Sequence, residues 1–332
     1  MGEKILDTFA EPFRLGGHEH RSTPSIGATL IEPGTLRVDE LLKRADIAMY
    51  QAKMAGRNTM RFFDPDMQSA VARRVAMEQD IHLAMQNREF ILYYQPQLDD
   101  AGMMIGAEAL VRWQHPQRGT IAPSSFIALA EDTGLIISLG ETVLRSACEQ
   151  LVRWAQLPQF SSLMLAVNVS PRQFRHPEFV QQVLDIVSSS GASPHRLKLE
   201  LTETVLIEDI EDVISKMGQL KSSGVSFALD DFGTGYSSLS YLKVLPLDQL
   251  KIDRSFVRDV LDDPDDAAIA RTIITLGNSL GLGVIAEGVE TEGQRDFLLE
   301  NGCHFYQGYL FSPPLPAEQL EQFVLQHGLR KQ

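Results

Sequence analysis

Two adjacent aspartates, Asp230 and Asp231, come directly after the apolar run 225–229. If this run is a buried strand, two like charges lie side by side, and burial raises the pKa of at least one of them. A divalent cation relieves that cost, because carboxylate oxygens are the hard ligands that Mg²⁺ and Mn²⁺ prefer. Gly233 and Gly235 follow and can adopt unusual backbone angles. Taken alone, the pair also fits a solvated turn.

Similar side chains recur wherever a candidate strand ends. Any one of these side chains could cap a turn or be exposed to solvent at the surface. Solvent exposure alone does not readily explain a polar side chain at the end of nearly every candidate strand. No histidine or cysteine belongs to the set, which favours Mg²⁺ or Mn²⁺ over zinc. Arg112 suits a forked phosphate contact, and the alternative is a stem packed on Trp113. In chain order the set is Gln95, Glu108, Arg112, Asn168, Ser170, Glu200, Glu203, Asp230, Asp231, Lys251, Asp253, Glu287, Glu290 and Gln307.

An alternation of strands and helices from residue 89 onward would bring these ends together. The candidate strands cover residues 90–95, 105–113, 163–170, 196–201, 225–230, 249–252, 283–286 and 303–307. The clearest helical stretches cover 126–130, 141–155, 178–190, 210–222, 267–280, 294–301 and 317–326. Eight such strands predict an α/β fold of the (β/α)8 barrel type, whose active site lies at the C-terminal strand ends. A doubly wound open sheet is the alternative, but its glycine-rich fingerprint after the first strand is missing.

The N-terminal residues 1–63 have the pattern of a small α/β piece. Helices are predicted over 3–13 and 38–55, and strands over 24–31 and 60–63. Because two strands support only a marginal hydrophobic core, we expect residues 1–63 to be part of a domain rather than a whole one. Residues 64–88 follow as a predicted linker, in which good helix formers cover 67–86.

Bulk composition restricts the possible partners and compartment. The 332 residues carry a net charge of −14, which disfavours nonspecific binding to nucleic acid or to an anionic membrane. The two cysteines offer no zinc spacing and at most one bridge, so a reducing cytoplasm is expected. No apolar run reaches membrane-spanning length, and the N-terminus is too charged for a signal peptide.

A series of short motifs carries a family resemblance. They are EAL followed by VRW at 108–113, NVS at 168–170, LELTE at 199–203, DDFGTGYSSL at 230–239, LKID at 250–253, AEGVE at 286–290 and QGY at 307–309. In this order and spacing they resemble EAL domains, over about residues 89–330. The resemblance implies a distorted TIM-like barrel and a bacterial signalling phosphodiesterase that opens cyclic di-GMP to linear pGpG with two Mg²⁺ or Mn²⁺ ions. No position that the family needs for catalysis departs from its pattern.

The resemblance also implies residue roles, motif by motif. Asp230 would bridge the two metals, and Lys251 would orient or deprotonate the attacking water. Glu203 would brace the loop after the aspartate pair, which in the family lies near a barrel–barrel dimer contact. The implied metal ligands are Glu108, Asn168, Glu200, Asp230 and Asp231. The implied catalytic residues are Lys251, Glu287, Glu203 and Gln307. The implied substrate contacts are Gln95, Leu110, Arg112, Asp253, Glu290 and Tyr309.

A second resemblance covers the N-terminal piece. SIGATL at 25–30, LLKRADIAMYQAKMAGRN at 41–58 and RFF at 61–63 are similar to the C-terminal part of a GGDEF domain, the diguanylate cyclase fold. The GGDEF hairpin and its metal-binding aspartate are absent, so no cyclase activity is expected, and Lys53 and Arg57 lack a catalytic partner. We expect a longer parent protein with upstream GGDEF or sensory modules, which could anchor it to a membrane.

Two other functions fit parts of these observations. A degenerate barrel could bind cyclic di-GMP without cleaving it and signal by conformation, but such receptors usually lack several metal ligands that this chain retains. An unrelated metal-dependent barrel enzyme of the aldolase or enolase type is the other alternative. The Asn168 ligand, and the aspartate pair without a histidine, disfavour that reading.

Overall fold

The chain forms two compact units, Met1–Asp80 and Ile81–Gln332. The computed structural model describes residues 1–16, 18–31, 37–207, 209–235 and 239–328. Within these ranges no helix is both long and apolar enough to cross a lipid bilayer. Residues 236–238 of the loop 231–239, near which the family resemblance implies a barrel–barrel dimer contact, lie outside the described ranges, as do residues 329 and 330 of the predicted second domain. A homodimer through the barrel stays a prediction.

The first unit contains two separate two-stranded sheets. Its elements are α1 (Gly2–Ala10), β1 (Phe13–Leu15), β2 (His18–His20), β3 (Ile26–Ala28), α2 (Val38–Met54), β4 (Met60–Phe62) and α3 (Pro65–Gln86), which continues into the second unit. The parallel pair β3–β4 was predicted as strands, whereas the β1–β2 hairpin was not. The predicted helix over 3–13 ends early because Glu11 precedes Pro12 and is extended, with φ −80° and ψ 137°.

The second unit is built on a closed ring of eight strands. Its strands are β5 (Phe90–Asp99), β6 (Met104–His115), β7 (Gly119–Ile121), β8 (Met164–Val169), β9 (Leu197–Thr202), β10 (Ser226–Phe232), β11 (Gln249–Ile252), β12 (Gly283–Ala286) and β13 (Phe305–Tyr306). The ring runs β5-β13-β12-β11-β10-β9-β8-β6, and the β5–β6 pairing closes it, while β7 extends β6 outside the ring. The predicted TIM-like barrel is confirmed.

The barrel departs from an all-parallel ring at its first strand. β5 runs antiparallel to both β6 and β13, and Gln95 pairs with Glu108 across the β5–β6 ladder. The cause is the connection between the strands, because residues 100–103 are long enough for a hairpin but not for the crossover that a parallel pair needs. Gln95 and Glu108 therefore lie inside their strands, and their predicted placement at C-terminal strand ends was wrong.

Helices follow the strands in the predicted alternation. They are α4 (Ile127–Thr133), α5 (Ile136–Ala155), α6 (Pro171–Phe174), α7 (Phe179–Ser190), α8 (Ile210–Ser222), α9 (Leu239–Leu242), α10 (Arg254–Arg258), α11 (Pro264–Leu280), α12 (Glu292–Glu300) and α13 (Ala317–His327). α5 begins before residue 141, where it was predicted to start, because Gly140 interrupts the helical sequence pattern without interrupting the helix.

Strand β9 shows how the sequence separates the core from a polar lumen. Leu197, Leu199 and Leu201 alternate with Lys198 and Glu200, so the period of two places leucines on one face and charged side chains on the other. Lys198 Nζ donates to the side chain of Gln249, which lies on the next strand but one, at 2.7 Å. Lys198 also lies within the electrostatic influence of Glu200 and Lys251, so ionisable side chains are close to one another inside the barrel.

Gly308→Ala is expected to destabilise the protein. An added Cβ would lie 2.1 Å from the carbonyl oxygen and 2.3 Å from the nitrogen of Val289, and backbone atoms cannot rotate aside. The free energy of unfolding should fall by about 2 kcal/mol. The control Gly218→Ala, in α8 with no atom within 4 Å, should raise it by about 0.5–1 kcal/mol. Urea titrations followed by circular dichroism measure both, and equal effects would contradict this packing.

Candidate active site

A fully buried lysine lies at the centre of the polar lumen. Lys251, on β11, has a relative exposure of 0%. Its Nζ is 2.6 Å from Glu200 Oε2, 3.2 Å from Asp230 Oδ1 and 3.7 Å from Glu108 Oε2, and it also contacts Glu287. These carboxylates come from four different strands or strand ends. The structure thus brings together four acidic residues that the sequence predicted separately, and we call them with Lys251 the carboxylate cluster.

The carboxylate cluster is short of positive charge, with one ammonium facing four carboxylates. Burial alone would lower the pKa of Lys251, but the four carboxylates outweigh it and raise this pKa well above its usual value. Burial raises the pKa of Glu200 to about 8, against the opposing effect of Lys251. Burial also raises the pKa of Glu287 well above the usual range. The cluster will therefore take up protons or a further cation.

Amide side chains hold Glu108 in place on the other side of the cluster. Asn168 Nδ2 lies 2.5 Å from Glu108 Oε1, and Gln307 Nε2 lies 2.5 Å from Glu108 Oε2. Gln307 also donates to Gln95 at 3.1 Å and accepts from Gln97 at 2.9 Å. Sequence reasoning missed Gln97. Its position two residues after Gln95 on the same strand was the signal that could have found it, because such residues share a face.

Asp231 lies at a break in the pairing between β10 and β11, where the register shifts between Leu229 and Phe232. Its φ of +53° is uncommon for a residue other than glycine. Burial, the Asp230 charge and a hydrogen bond to Asp253 raise the pKa of Asp231 to about 6. Two carboxyls that share a hydrogen bond need a proton between them, or a cation in its place.

Glu203 connects the start of a 3₁₀ segment (Glu203–Ile207) to the glycine-rich loop. Its Oε1 accepts a hydrogen bond from the backbone N–H of Gly233 at 2.7 Å. A Cβ added to Gly235 would lie 2.4 Å from Glu203 Oε2, so the loop passes close over this carboxylate. The predicted bracing of the loop thus has a definite set of contacts, although its effect on catalysis stays a prediction.

The remaining predicted substrate contacts form no described ion pair with Lys251. Arg112, on β6, donates to Val111 O at 2.8 Å, and its guanidinium lies 5.6 Å from the ring centre of Tyr93. Burial lowers the pKa of Arg112.

The other predicted substrate contacts lie in different surroundings. Tyr309 is 67% exposed. Glu290 is also exposed, and its backbone N–H donates a hydrogen bond to the side chain of Gln294. Asp253 caps α10 by accepting from Ser255 N at 2.9 Å. Leu110 lines the cavity beside the cluster.

That cavity has a volume of about 580 Å³. Asn168, which donates to Glu108 of the carboxylate cluster, and Asp231, which follows Asp230, both line it. Ile136, Leu139 and Val143 of α5 contribute to its apolar walls. A concave space with apolar walls and a polar edge is the usual form of a small-molecule site.

The donor set fits a divalent cation, although the carboxylates are not arranged around one. In the described part of the chain, no three His, Cys, Asp or Glu side chains converge as a ready metal site. The ammonium of Lys251 lies among the carboxylates instead. Glu200 Oε1 is buried without a hydrogen-bond partner. Because a buried carboxylate oxygen is costly to leave unpaired, this atom and the shortage of positive charge both suit a hard cation.

Comparison with known proteins identifies the family. Residues 78–314 match the EAL domain family, and residues 1–59 match the family described as diguanylate cyclase, GGDEF domain. Because the first match covers most of the chain, this protein belongs to the EAL domain family. It carries part of a GGDEF domain at its N-terminus, as the second resemblance implied.

Two curated relatives come from Pseudomonas aeruginosa. The bifunctional diguanylate cyclase/cyclic di-GMP phosphodiesterase MucR is 43% identical over 321 residues, which cover 96% of this chain and 47% of MucR. The cyclic di-GMP phosphodiesterase NbdA is 40% identical over 325 residues, covering 98% of this chain and 41% of NbdA. The chain therefore spans less than half the length of these two relatives.

A solved structure described as the PaMucR phosphodiesterase in complex with c-di-GMP is also similar. It is 45% identical, with a TM-score of 0.72, and the match covers 74% of this chain and 99% of that one. The two chains therefore have the same overall fold over the matched part.

Lys251→Met should make stability strongly dependent on pH. Without the ammonium, the carboxylates repel one another, and the free energy of unfolding near pH 8 should fall by about 3–5 kcal/mol. Carboxyls with raised pKa bind more protons in the folded state, so the variant should regain stability as pH falls from 8 towards 5.

Lys221→Met provides the control for this prediction, because Lys221 pairs with Asp248 at the surface. Its loss should cost less than about 1 kcal/mol at either pH. Urea titrations at pH 5 and pH 8 without added metal measure both variants. A Lys251→Met protein that is equally stable at both pH values would contradict the charge imbalance described for the cluster.

Proposed function

We propose that this chain hydrolyses cyclic di-GMP to linear pGpG with two divalent cations, Mg²⁺ or Mn²⁺. The observation that carries the proposal is the carboxylate cluster, in which three of the predicted metal ligands, Glu108, Glu200 and Asp230, lie with Glu287 around a single ammonium. The phosphodiesterase names of MucR and NbdA, and the c-di-GMP complex of the similar structure, support this substrate.

The proposed metal ligands divide between the two cations. Glu108, Asn168, Glu200 and Asp230 would hold the first, and Asp230 with Asp231 the second. When bound, such cations supply the positive charge that stabilises the entering and leaving oxygens of a phosphodiester. The raised pKa of Asp231, to which burial, Asp230 and Asp253 contribute, supports a cation beside this carboxylate.

Lys251 takes the role of orienting rather than deprotonating the attacking water. In the cluster without bound cations, the four carboxylates raise the pKa of Lys251 well above its usual value, so its side chain is an ammonium there. A group in that state donates hydrogen bonds and cannot accept a proton. Of the two roles that the sequence resemblance left open, the electrostatics therefore favour the first.

The other residues position the reacting groups. Gln307 and Asn168 hold the two oxygens of Glu108 and so fix the direction of this carboxylate. Arg112 would clamp a phosphate oxygen with its forked guanidinium, which already lies beside an aromatic ring. The cavity bordered by Asn168 and Asp231 gives the rest of the nucleotide a place next to the reacting phosphodiester.

Glu108→Gln should abolish turnover in Mg²⁺ or Mn²⁺, because the first metal loses a charged ligand. Asp231→Asn should still bind substrate while cleavage falls by at least about 100-fold, since the substitution weakens the binding of the second metal only.

Glu141→Gln is the matched control, because Glu141 forms a surface ion pair with Arg145, and this variant should keep wild-type rates. Chromatography of products and calorimetry of binding are the measurements. Tight binding by the wild type with no pGpG would place the protein among receptors.

A further inference from the structure

A buried lysine on α8 is not used by the chemistry described above. Lys216 is only 7% exposed. Its Nζ donates hydrogen bonds to the backbone carbonyl oxygens of Phe174, Arg175 and His176, at 3.2, 3.3 and 3.4 Å. It also lies 2.8 Å from Asp212 Oδ2, one turn earlier in the same helix. Burying an ammonium is costly unless it is paired and hydrogen-bonded, and this one satisfies both conditions at the end of α6.

The helix that Lys216 holds follows a strand with a proposed metal ligand. Asn168 lies near the end of β8, and Ser170 caps α6 by accepting from the backbone N–H of Gln173 at 3.1 Å. α6 also packs closely on α5, because a Cβ added to Gly140 would lie 2.3 Å from Gln173 Oε1. A helix of four residues has almost no internal hydrogen bonds, so its neighbours determine its position. Ser170 fixes its start, and Lys216 fixes its end.

The residue after α6 contacts the connection that follows the next ligand strand. Arg175 Nη2 donates to the carbonyl oxygen of Thr204 at 2.8 Å. Thr204 belongs to the 3₁₀ segment that begins at Glu203, directly after β9. Glu203 Oε1 accepts from the backbone N–H of Gly233, two residues after Asp231. A series of hydrogen bonds therefore extends from α8, through the end of α6 and the 3₁₀ segment, to the loop that follows Asp231.

Three consecutive strands with proposed metal ligands are connected in this way. β8 carries Asn168, β9 carries Glu200, and β10 carries Asp230 and Asp231. α8 ends at Ser222, and β10 begins four residues later. A side chain of α8 that holds the segment after β8, which in turn contacts the segment after β9, fixes these strand ends relative to one another. Residues that orient metal ligands in this manner typically contribute about 10- to 100-fold in metal affinity.

We propose that Lys216 is a positioning residue for the second metal site, and that it acts on Asp231 through Arg175 and Glu203. The proposal rests on the proposed function for the presence of that cation. The ammonium holds the end of α6 so that Arg175 reaches the 3₁₀ segment, which presents Glu203 to the loop after Asp231. Without the ammonium, three carbonyl oxygens lose their donor, and the end of α6 must move to find other partners.

Calorimetric titration of the full chain with Mn²⁺ alone tests this role. The second site is identified as the one that Asp231→Asn weakens. In Lys216→Met we expect the dissociation constant of that site to rise about tenfold, and that of the other site to change less than about threefold. Lys216→Arg keeps a charged donor and should stay within about threefold of the wild type at both sites. Lys221→Met, on the same helix at its surface pair with Asp248, is the matched control and should leave both constants unchanged.

Arg175→Met provides a second test that leaves the buried ammonium in place. It removes the hydrogen bond to Thr204 and should weaken the same Mn²⁺ site. Because both side chains act along one connection, their effects should not add, and the double variant should show a rise of about tenfold rather than about a hundredfold. If Lys216→Met does not fold, Arg175→Met decides alone, and an unchanged constant in it overturns the proposal.

These titrations do not depend on turnover, so they separate the role of Lys216 from the phosphodiesterase activity. A weakened second site in both variants supports this role even if the wild type produces no pGpG, in which case only the proposed hydrolysis fails. Unchanged Mn²⁺ constants in Lys216→Met with a lowered melting temperature overturn the role in favour of a purely structural one and leave the proposed function standing. Equal weakening of both sites, or additive effects in the double variant, also overturns it. A wild type that binds no Mn²⁺ overturns both proposals.

Discussion

The structure of this barrel depends on one electrostatic imbalance, in which four buried carboxylates face a single ammonium. Lys251 lies close enough to Glu200 and Asp230 to keep them in one place without a metal, so the site is preformed. One positive charge cannot neutralise all four, and burial responds by raising the pKa of Glu200 and of Glu287. An arrangement that is both preformed and deficient in positive charge is suited to bind hard cations and to stabilise the developing charge of a phosphodiester.

Several backbone features position the side chains of the carboxylate cluster and of the residues around it. The antiparallel β5 carries Gln95 and Gln97 on one face, and both join the amide network that orients Glu108. The register shift in β10 and the positive φ of Asp231 both fall at the aspartate pair. Glu203 ties the following loop down through Gly233. The positive φ of Asp231 indicates local backbone strain at the position of this carboxylate.

Much of this arrangement could be predicted from the sequence, because period-two strands separated by helical stretches determine a barrel and place its polar strand residues near one another. Helix α8 (Ile210–Ser222) has the predicted bounds, since its capping Asp209 and its apolar spacing agree. The antiparallel first strand was missed because the parallel-barrel template was applied to a connection too short for a crossover. The central position of Lys251 among the carboxylates could not be predicted, because it depends on distances between strands that are far apart in sequence. Gln97 was missed although its spacing to Gln95 on the same strand could have indicated it. The start of α5 was placed too late because a glycine that accommodates a distant side chain has the same local signature as a helix end.

The most direct test of the account is hydrolysis of cyclic di-GMP in water enriched in ¹⁸O, with Mg²⁺ or Mn²⁺ and the purified chain. Cleavage by an attacking water adds one solvent oxygen to the phosphate that is opened. The account predicts that mass spectrometry will find linear pGpG carrying a single ¹⁸O atom. Recovery of unlabelled cyclic di-GMP from a protein that has bound it would contradict the central claim that the carboxylate cluster is a hydrolytic site.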